Sequence, residues 1–250
     1  MRKTILITGA SSGLGAGMAR EFAAMGRNLA LCARRMERLE ELRDELLTIN
    51  PDIQVVIRSL DVNDYDAIPE VFEGFCADLG QLDRIIINAG VGKGQPLGTG
   101  RFAVNRETAE TNFLAALAQV EAAMVIFRRQ EHGHLVTVSS VTAVRGMPGN
   151  VTTYGATKAA LSSLSEGLRV ELQKKGSAIR VTTLLPGYIR TALNEKVKNT
   201  PFIVDAETGC KAMVRAIERE KAESYVPGWP WTPVAWLMKK MPDSVLARIF

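Results

Sequence analysis

The sequence is poor in the residues that build metal sites and disulfide frameworks. Its 250 residues include three cysteines, Cys32, Cys76 and Cys210, and two histidines, His132 and His134. The cysteines are odd in number, lie far apart and form no Cys-x-x-Cys pair. Neither a disulfide framework nor a zinc site is therefore indicated, and a reducing compartment fits. The histidines have no third ligand nearby in the sequence, so we expect turn residues before an apolar run rather than metal ligands.

Clusters of one charge and long apolar runs are missing as well. The 31 basic and 27 acidic residues are mixed along the chain and leave a net charge of +4. A nucleic-acid surface would need basic residues grouped on one face. No apolar run reaches the roughly 18 residues of a transmembrane helix, and the run after the first three residues ends too early for a signal peptide. We expect a cytoplasmic protein.

What the sequence does contain is a regular alternation of short apolar runs and longer amphipathic segments. This order predicts βαβ units and a single α/β domain, a doubly wound parallel sheet with helices on both faces. Buried parallel strands read as continuous runs rich in β-branched residues. By this criterion we predict strands at 4–8, 28–32, 53–58, 84–88, 134–140 and 179–186, and helices at 13–25, 36–49, 64–79, 105–130 and 153–175.

A glycine-rich segment, "ITGASSGLGAG" (7–17), joins the first predicted strand to the first helix. Gly9 permits backbone dihedral angles that other residues avoid. Gly13 and Gly15 would let a phosphate and the helix approach closely, and the N–H groups of the helix N-terminus favour an anion. No Lys-Ser or Lys-Thr pair follows, so a P-loop is not indicated. The alternatives are a dinucleotide site, which the position after a strand favours, and a plain tight turn.

Two arginines follow the second strand in "CARRMER" (32–38). A site for NAD would place Asp or Glu there to bind the ribose 2′-hydroxyl. Arg34 and Arg35 instead suit a 2′-phosphate, because a guanidinium group bonds phosphate through two N–H groups. The other interpretation is that both arginines begin a solvated helix. Because the glycine-rich loop already indicates a dinucleotide, we favour a cofactor with a 2′-phosphate, NADP(H), over NAD(H).

A possible proton-transfer pair lies in "TTYGATKAA" (152–160). Tyr154 and Lys158 are four residues apart and would share a helix face. An ammonium group near a phenol lowers the pKa of the phenol, which makes tyrosine a usable acid or base. Ser140, at the end of a neighbouring strand, could polarise a carbonyl oxygen. The Tyr-x-x-x-Lys spacing alone is common by chance and typical of surface residues.

The motifs together resemble the classical short-chain dehydrogenase/reductase family over residues 3–192. They are "TGASSGLG" (8–15), "NAG" (88–90), Asn112, Ser140, "YGATK" (154–158) and "PGYIRT" (186–191), in the family's order and approximate spacing. The resemblance implies a Rossmann fold with a seven-stranded parallel sheet, the last strand near 224–228. It also implies a nicotinamide cofactor and reversible interconversion of a carbonyl and an alcohol.

The resemblance implies roles for four catalytic residues. Tyr154 would donate or accept the proton, and Ser140 would orient the substrate oxygen. Lys158 would hold the nicotinamide ribose and tune Tyr154, and Asn112 would hold the water that links Lys158 to solvent. Ser140 precedes Tyr154 by 14 positions, about one more than is common in the family, which leaves Ser139 as an alternative. We choose Ser140 because the second serine of the pair matches the family position.

The expected cofactor site combines the glycine loop, the two arginines and the family positions. Asp61 would meet adenine, residues 88–90 the adenosine, and Ile189 and Thr191 the nicotinamide amide. The full expected set is Gly9, Ser11, Ser12, Gly13, Leu14, Gly15, Arg34, Arg35, Asp61, Val62, Asn88, Ala89, Gly90, Tyr154, Lys158, Pro186, Gly187, Ile189 and Thr191.

The sequence thus predicts an NADP(H)-dependent oxidoreductase acting on a small-molecule carbonyl or secondary alcohol. The alternative is a non-catalytic dinucleotide-binding regulatory module, which a turnover assay would distinguish. For the substrate pocket we expect Val141, Met147, Tyr188 and the loop 90–102, with Lys93 and Arg101 nearby. The long helices at 105–130 and 153–175 resemble the family's dimerisation pair, so we expect a homodimer or homotetramer.

The C-terminal tail, about residues 229–250, is unusually apolar for a chain end. Thr232 before Pro233 predicts a helix N-cap followed by proline at the first helical position. Val234, Leu237 and Met238 would then share one helix face. We expect this tail to be a lid over the substrate pocket or a subunit interface. The alternative is an anchor in the surface of an anionic membrane, with tryptophans at the headgroups.

Overall fold

Seven parallel strands form one sheet at the centre of the molecule. The computed structural model describes residues 2–191 and 201–249, and of Ile249 only the backbone. The strand order is β3-β2-β1-β4-β5-β6-β7, and each neighbouring pair is parallel. The strands are β1 (Thr4–Thr8), β2 (Asn28–Ala33), β3 (Val55–Ser59), β4 (Arg84–Ile87), β5 (His132–Val138), β6 (Ala178–Pro186) and β7 (Glu223–Val226). The predicted doubly wound sheet is confirmed.

Helices cover both faces of this sheet, as the predicted βαβ units require. Residues of α1 (Gly13–Ala24), α2 (Met36–Ile49) and α7 (Ala206–Glu218) share one core with the sheet. Residues of α3 (Ala67–Leu79), α5 (Ala115–Gln130) and α6 (Thr152–Lys174) share the other. Before α5 lie α4 (Phe102–Ala109) and a π-helical turn, Glu110–Leu114. The strands read as continuous apolar runs because both of their faces are buried.

By length and mean hydropathy alone, Phe102–Gln130 could cross a membrane, which differs from the expectation drawn from uninterrupted apolar runs. In the fold, 61% of its most apolar window is buried. Its apolar side chains, including Val120 and Phe127, belong to the core beneath β4 and β5. Core packing in a globular domain therefore accounts for the hydropathy of this helix.

Strand β5 begins two residues earlier than predicted, and its histidines are not turn residues. His132 and His134 both lie within the strand, and His134 is fully buried. Buried Arg84 donates from Nε to Nδ1 of His134 at 2.8 Å, and Nε2 of His134 lies 2.8 Å from Oγ1 of Thr182. Nδ1 accepts this hydrogen bond, so the neutral imidazole carries its hydrogen on Nε2 and donates a hydrogen bond to Oγ1 of Thr182. The sequence pattern could not show that a partner on β4 satisfies this histidine.

The tail also begins its helix earlier than predicted. Helix α8 spans Gly228–Lys240, with a break in helical geometry at Trp229, so Thr232 is inside the helix rather than at its N-cap. Helix α9 (Asp243–Ile249) follows. Trp231 and Met238 are buried, but Leu237, expected on the same face as Met238, is 54% exposed. The buried face carries Trp231, Ala235 and Met238, which are spaced four and three residues apart.

Candidate active site

Two adjoining cavities form one groove along the carboxyl ends of the strands. The first has a volume of about 450 Å³ and the second about 690 Å³. Both are lined by Leu14, Asn88, Gly90, Val91 and Thr191, which join them. The strand order reverses between β1 and β4, and ligands of doubly wound sheets bind at such a switch point.

The glycine-rich loop forms one wall of the first cavity. Gly9 has φ +65°, and a Cβ there would lie 2.8 Å from the Cα of Ala89, so a side chain is excluded both by conformation and by space. Gly15 serves packing instead of lining the cavity, because its Cβ would lie 2.5 Å from the carbonyl oxygen of Gly9. The predicted close approach of helix and loop thus falls at Gly15.

Thr8 and Asn88 hold the loop and the "NAG" segment together. The Asn88 side chain donates from Nδ2 to the carbonyl oxygen of Thr8 at 2.9 Å. In return, the backbone N–H groups of Asn88 and Ala89 donate to Oγ1 of Thr8 at 3.1 and 3.2 Å. These bonds tie the ends of β1 and β4 into a single rigid floor beneath the groove.

The two arginines stand at the far end of the first cavity. Arg35 donates from Nη2 to the hydroxyl oxygens of Ser11 and Ser12, at 3.0 and 2.9 Å. Arg34 lies 3.9 Å from the carboxylate of Asp61, and 69% of its side chain is exposed. Asp61 also accepts the backbone N–H of Asn63 at 3.0 Å. The guanidinium of Arg35 is therefore already oriented beside the glycine-rich loop.

Most of the expected cofactor residues come together in this groove. The first cavity is lined by the expected residues Gly9, Ser11, Ser12, Gly13, Leu14, Arg34, Arg35, Asp61, Val62, Asn88, Ala89, Gly90 and Thr191. It is also lined by Ala33, Leu60, Asn63, Val91, Glu107 and Thr111, which the sequence reasoning missed. The missed residues carry no motif. Asn63 and Thr111 meet through a hydrogen bond of 3.2 Å across 48 positions, so sequence proximity could not reveal them.

The second cavity brings Ser140, Tyr154 and Lys158 together. All three line its wall, with the expected residues Pro186, Gly187, Tyr188 and Ile189. Helix α6 carries Tyr154 and Lys158 on one face, and Ser140 lies two residues beyond the end of β5. Ser139 also lines this cavity, but its hydroxyl is engaged, because it donates to the Lys158 carbonyl oxygen at 2.8 Å. This geometry favours Ser140 over Ser139.

Burial sets the direction of the pKa shifts of Tyr154 and Lys158. It lowers the pKa of Lys158 to about 8. Burial also raises the pKa of Tyr154, while a hydrogen bond with Ser140 acts in the opposite direction. The Lys158 ammonium donates to the Val138 carbonyl oxygen at 2.9 Å and lies 5.9 Å from the centre of the Tyr154 ring. The net pKa of Tyr154 is therefore raised, opposite to the expected direction, because burial outweighs the hydrogen bond with Ser140.

Asn112 lies behind the wall and does not line either cavity. It sits in the π-helical turn, where such turns often mark functional sites. Its Oδ1 accepts the N–H of Val91, and its Nδ2 donates to the Val91 carbonyl oxygen, both at 2.8 Å. Its side chain therefore holds the segment after "NAG". A water contact, the expected role, would use the second N–H or lone pair of the amide.

The remaining expectations for the substrate pocket divide in two. Val141, Tyr188 and loop residues 90–95 line the second cavity, whereas Met147 and Arg101 do not. Met147 is buried against α6 near Gly155. The sequence reasoning missed Thr142, Asn150 and Val151, which precede α6. Among the described residues, no group of three or more His, Cys, Asp or Glu could hold a metal ion.

The tail packs beside the second cavity. The indole of Trp231 lies so close to Gly187 that a Cβ there would be 2.0 Å from its Nε1, and its ring meets Tyr188 edge-on at 5.7 Å. Arg145, from the loop after Ser140, donates to the carbonyl oxygen of Met238 at 3.0 Å and pairs with Asp243. The tail thus supports two segments that line the cavity.

Comparison with known proteins agrees with this geometry. The sequence profile of the short chain dehydrogenase family matches residues 3–201. An uncharacterized oxidoreductase of Mycobacterium tuberculosis is 51% identical over 247 residues, which are 99% of this chain and 97% of the relative.

Two solved structures are similar. A short-chain type dehydrogenase/reductase from Mycobacterium marinum has a TM-score of 0.81 and 25% identity, over 90% of this chain and 94% of that one. An alcohol dehydrogenase from the archaeon Thermococcus sibiricus, complexed with 5-hydroxy-NADP, has a TM-score of 0.79 and 25% identity, over 89% and 95%. With the seven-stranded sheet and the family profile over most of its length, the chain belongs to the classical short-chain dehydrogenase/reductase family of oxidoreductases.

Proposed function

We propose that this protein is an NADP(H)-dependent oxidoreductase that interconverts a carbonyl and a secondary alcohol. The observation that carries the proposal is the continuity of the groove. A glycine-rich loop and Arg35 lie at one end, and Ser140, Tyr154 and Lys158 lie at the other. One dinucleotide could therefore bind its phosphates at the first end and reach a substrate beside the proton-transfer groups at the second.

The first cavity fits a dinucleotide. Its glycine loop leaves no side chain between the backbone and a bound phosphate, and the N-terminus of α1 favours an anion. The cofactor when bound supplies or accepts the hydride, and the protein contributes position and electrostatics. Lys158, facing the second cavity, is the residue we propose for holding the ribose nearest to the nicotinamide.

The preference for NADP(H) over NAD(H) is supported by Arg35. Its guanidinium is held by two serine hydroxyls at the edge of the first cavity, where it would bond the 2′-phosphate. No acidic residue follows β2 at the position where NAD sites place one. The relative from Thermococcus sibiricus was solved with an NADP analogue, which agrees with this preference.

In the proposed reaction, Tyr154 exchanges the proton and Ser140 orients the oxygen. Burial raises the pKa of Tyr154, so the phenol keeps its proton at neutral pH and is suited to protonate a carbonyl during reduction. Thr142 donates its backbone N–H and hydroxyl to Oγ of Ser140, at 3.2 and 3.0 Å. These bonds fix the direction in which the Ser140 hydroxyl can donate.

The second cavity supports a medium-sized, partly apolar substrate. Val104, Val141, Val151 and Ile189 line it together with small and amide-bearing residues. Lys93, its one charged side chain besides Lys158 among the described residues, is neutralised by Glu107 at 2.6 Å. The test is turnover of a panel of ketones and secondary alcohols with NADPH and NADP. Binding of NADPH without any turnover would instead support a regulatory dinucleotide-binding module.

We also propose that the protein is a homo-oligomer that works in the cytoplasm. Val125 on α5 and Val170 on α6 are 60% and 59% exposed. The ion pair of Arg128 with Glu171 places this part of α5 beside α6, and Val125 lies one helical turn before Arg128. A second copy would cover this apolar area. All three cysteines are free and buried, which fits a reducing compartment. Light scattering of the wild type and of Val125→Asp tests the assembly, since a charge there should dissociate it.

A further inference from the structure

Three side chains on one face of a helix hold alternate residues of the loop after β4. Asn112 exchanges two hydrogen bonds with the backbone of Val91, both of 2.8 Å. Thr108 donates to the carbonyl oxygen of Lys93 at 2.9 Å. Asn105 accepts the N–H of Gln95 at 2.9 Å and donates to its carbonyl oxygen at 3.0 Å.

The ladder requires an extended loop. Residues 105, 108 and 112 share a helix face, and seven helical residues rise about 10 Å. Four extended residues span about 13 Å, a similar length. A contact at every second residue is the pattern of a strand edge, whose backbone groups alternate in direction. The backbone groups of the intervening residues, Gly92 and Gly94, therefore point away from the helix.

Both of these glycines line the second cavity. Neither has a side chain to cover its backbone, and within residues 2–191 and 201–249 no hydrogen bond uses their N–H groups. Gly94 also abuts the turn before α6, because a Cβ there would lie 1.9 Å from the carbonyl oxygen of Asn150. Residues 91–95, here called the extended wall, are thus fixed between the helix and that turn.

Asn105 and Thr108 do not line the second cavity themselves. Asn105 is 8% exposed and Thr108 is fully buried. Asn105 keeps its hydrogen bonds only while the loop is extended, because both of its hydrogen-bond partners are backbone groups of Gln95. Thr108 can also donate to the Val104 carbonyl oxygen of its own helix at 3.1 Å, so its bond to Lys93 adds to the position of the loop without being its sole partner. Their arrangement gives the wall a fixed position.

We propose that Asn105 and Thr108 are positioning residues for substrate binding. Through the extended wall they present the backbone groups of Gly92 and Gly94 to a hydrogen-bonding group of the substrate. The chemical class is a ketone or alcohol that carries a second hydroxyl, carbonyl or amide group away from the reacting carbon. This inference rests on the proposed function, because it takes the second cavity as the substrate site.

The test uses a matched pair of ketones of equal size. One carries a second carbonyl, and the other carries a methylene at that place. Wild type is compared with Asn105→Ala, Thr108→Val and the conservative Thr108→Ser, which keeps the hydroxyl. Arg106→Ala is the matched control on the same helix, since Arg106 is exposed and lines neither cavity. NADPH affinity and the hydrogen-exchange rate of the Gln95 amide are measured for each variant.

The KM of wild type for the dicarbonyl should be about fivefold lower than its KM for the methylene analogue. One hydrogen bond of about 1 kcal/mol corresponds to this ratio. Asn105→Ala and Thr108→Val should remove this preference, with kcat and NADPH affinity within about twofold. Asn105→Ala should also speed exchange at Gln95, and Thr108→Ser should behave as wild type. A variant in which Gln95 exchange rises while the preference persists would overturn the proposal.

A separate readout keeps this inference distinct from the proposed function. If wild type reduces neither ketone, the proposed function fails for this class. The affinities of the same two ketones are then compared by calorimetry in wild type and Asn105→Ala. A preference lost in the variant supports the wall as a binding element, and equal affinities of wild type for both ketones contradict it.

Discussion

Arg35 offers the sharpest test of the cofactor proposal, because its guanidinium is held in place by the protein itself. Replacing it with alanine removes two hydrogen bonds to Ser11 and Ser12 and one of the two arginines that line the first cavity. Arg34 is a weaker candidate, since no serine hydroxyl among the described residues holds it and it shares its charge with Asp61 at 3.9 Å. We therefore expect Arg35→Ala to have the larger effect.

The magnitude follows from the kind of bond that is lost. A hydrogen bond to a charged group is worth about 1.5–3 kcal/mol. Because Arg35 is exposed to solvent, the lower end applies, which corresponds to roughly a tenfold change in affinity. Arg35→Ala should thus weaken NADPH binding about tenfold and leave NADH binding unchanged. Arg34→Ala should weaken it less, and the double variant should bind both cofactors equally.

The assay is fluorescence titration of NADPH and NADH against wild type and the variants. Arg38→Ala is the matched control, because it removes one positive charge from the same helix, where Arg38 pairs with Glu41 at 3.0 Å. Raising the salt concentration should reduce the preference for NADPH, since exposed charges are screened. Equal affinities of the wild type for both cofactors, or a preference that survives the double variant, would refute the reasoning.

Three further predictions concern stability, the choice of serine and the tail. Burial holds the pKa of His134 at about 3 in the folded protein, against 6.5 unfolded, so the unfolded chain binds more protons as the pH falls below 6.5. At pH 4.5 this difference costs about 3 kcal/mol of stability, and in urea unfolding His134→Gln should flatten the dependence between pH 6.5 and 4.5, while His132→Gln should not. Ser140→Ala should lower kcat by at least tenfold with NADPH affinity unchanged, and a similar loss in Ser139→Ala without destabilisation would reverse that choice. Deleting residues 229–250 should raise KM or split the oligomer, and wild type should not sediment with anionic liposomes; sedimentation lost on truncation, with KM and oligomer size unchanged, would favour the membrane alternative.

The sheet could be predicted from the sequence because its strands are buried on both faces. A short β-branched run between two amphipathic helices, such as "RIIIN" (84–88), predicts a buried parallel strand. The tail could not be predicted as well, because its helix start depends on tertiary contacts. Trp231 is placed by the absence of a side chain at Gly187, which the local pattern around Thr232 does not record.

The candidate site divides in the same way. Site residues on the same helix, or at the end of one strand, can be predicted from the sequence, as Tyr154 and Lys158 on α6 show. Residues that act through partners distant in sequence were missed. Asn105 and Thr108 look like ordinary polar positions of an amphipathic helix until the loop they hold is seen. The raised pKa of Tyr154 could not be predicted, because residue spacing shows a neighbouring charge but not how deeply the phenol is buried.

The assignment of Tyr154 as the proton donor is tested by the turnover of Tyr154→Phe with NADPH and the ketone that wild type reduces fastest. The substitution removes one hydroxyl from the wall of the second cavity and leaves the first cavity untouched. The account predicts a loss of turnover of roughly 10²-fold or more, as is typical when a general acid is removed, with NADPH affinity unchanged. Turnover close to that of wild type would contradict the assignment of Tyr154 as the proton donor.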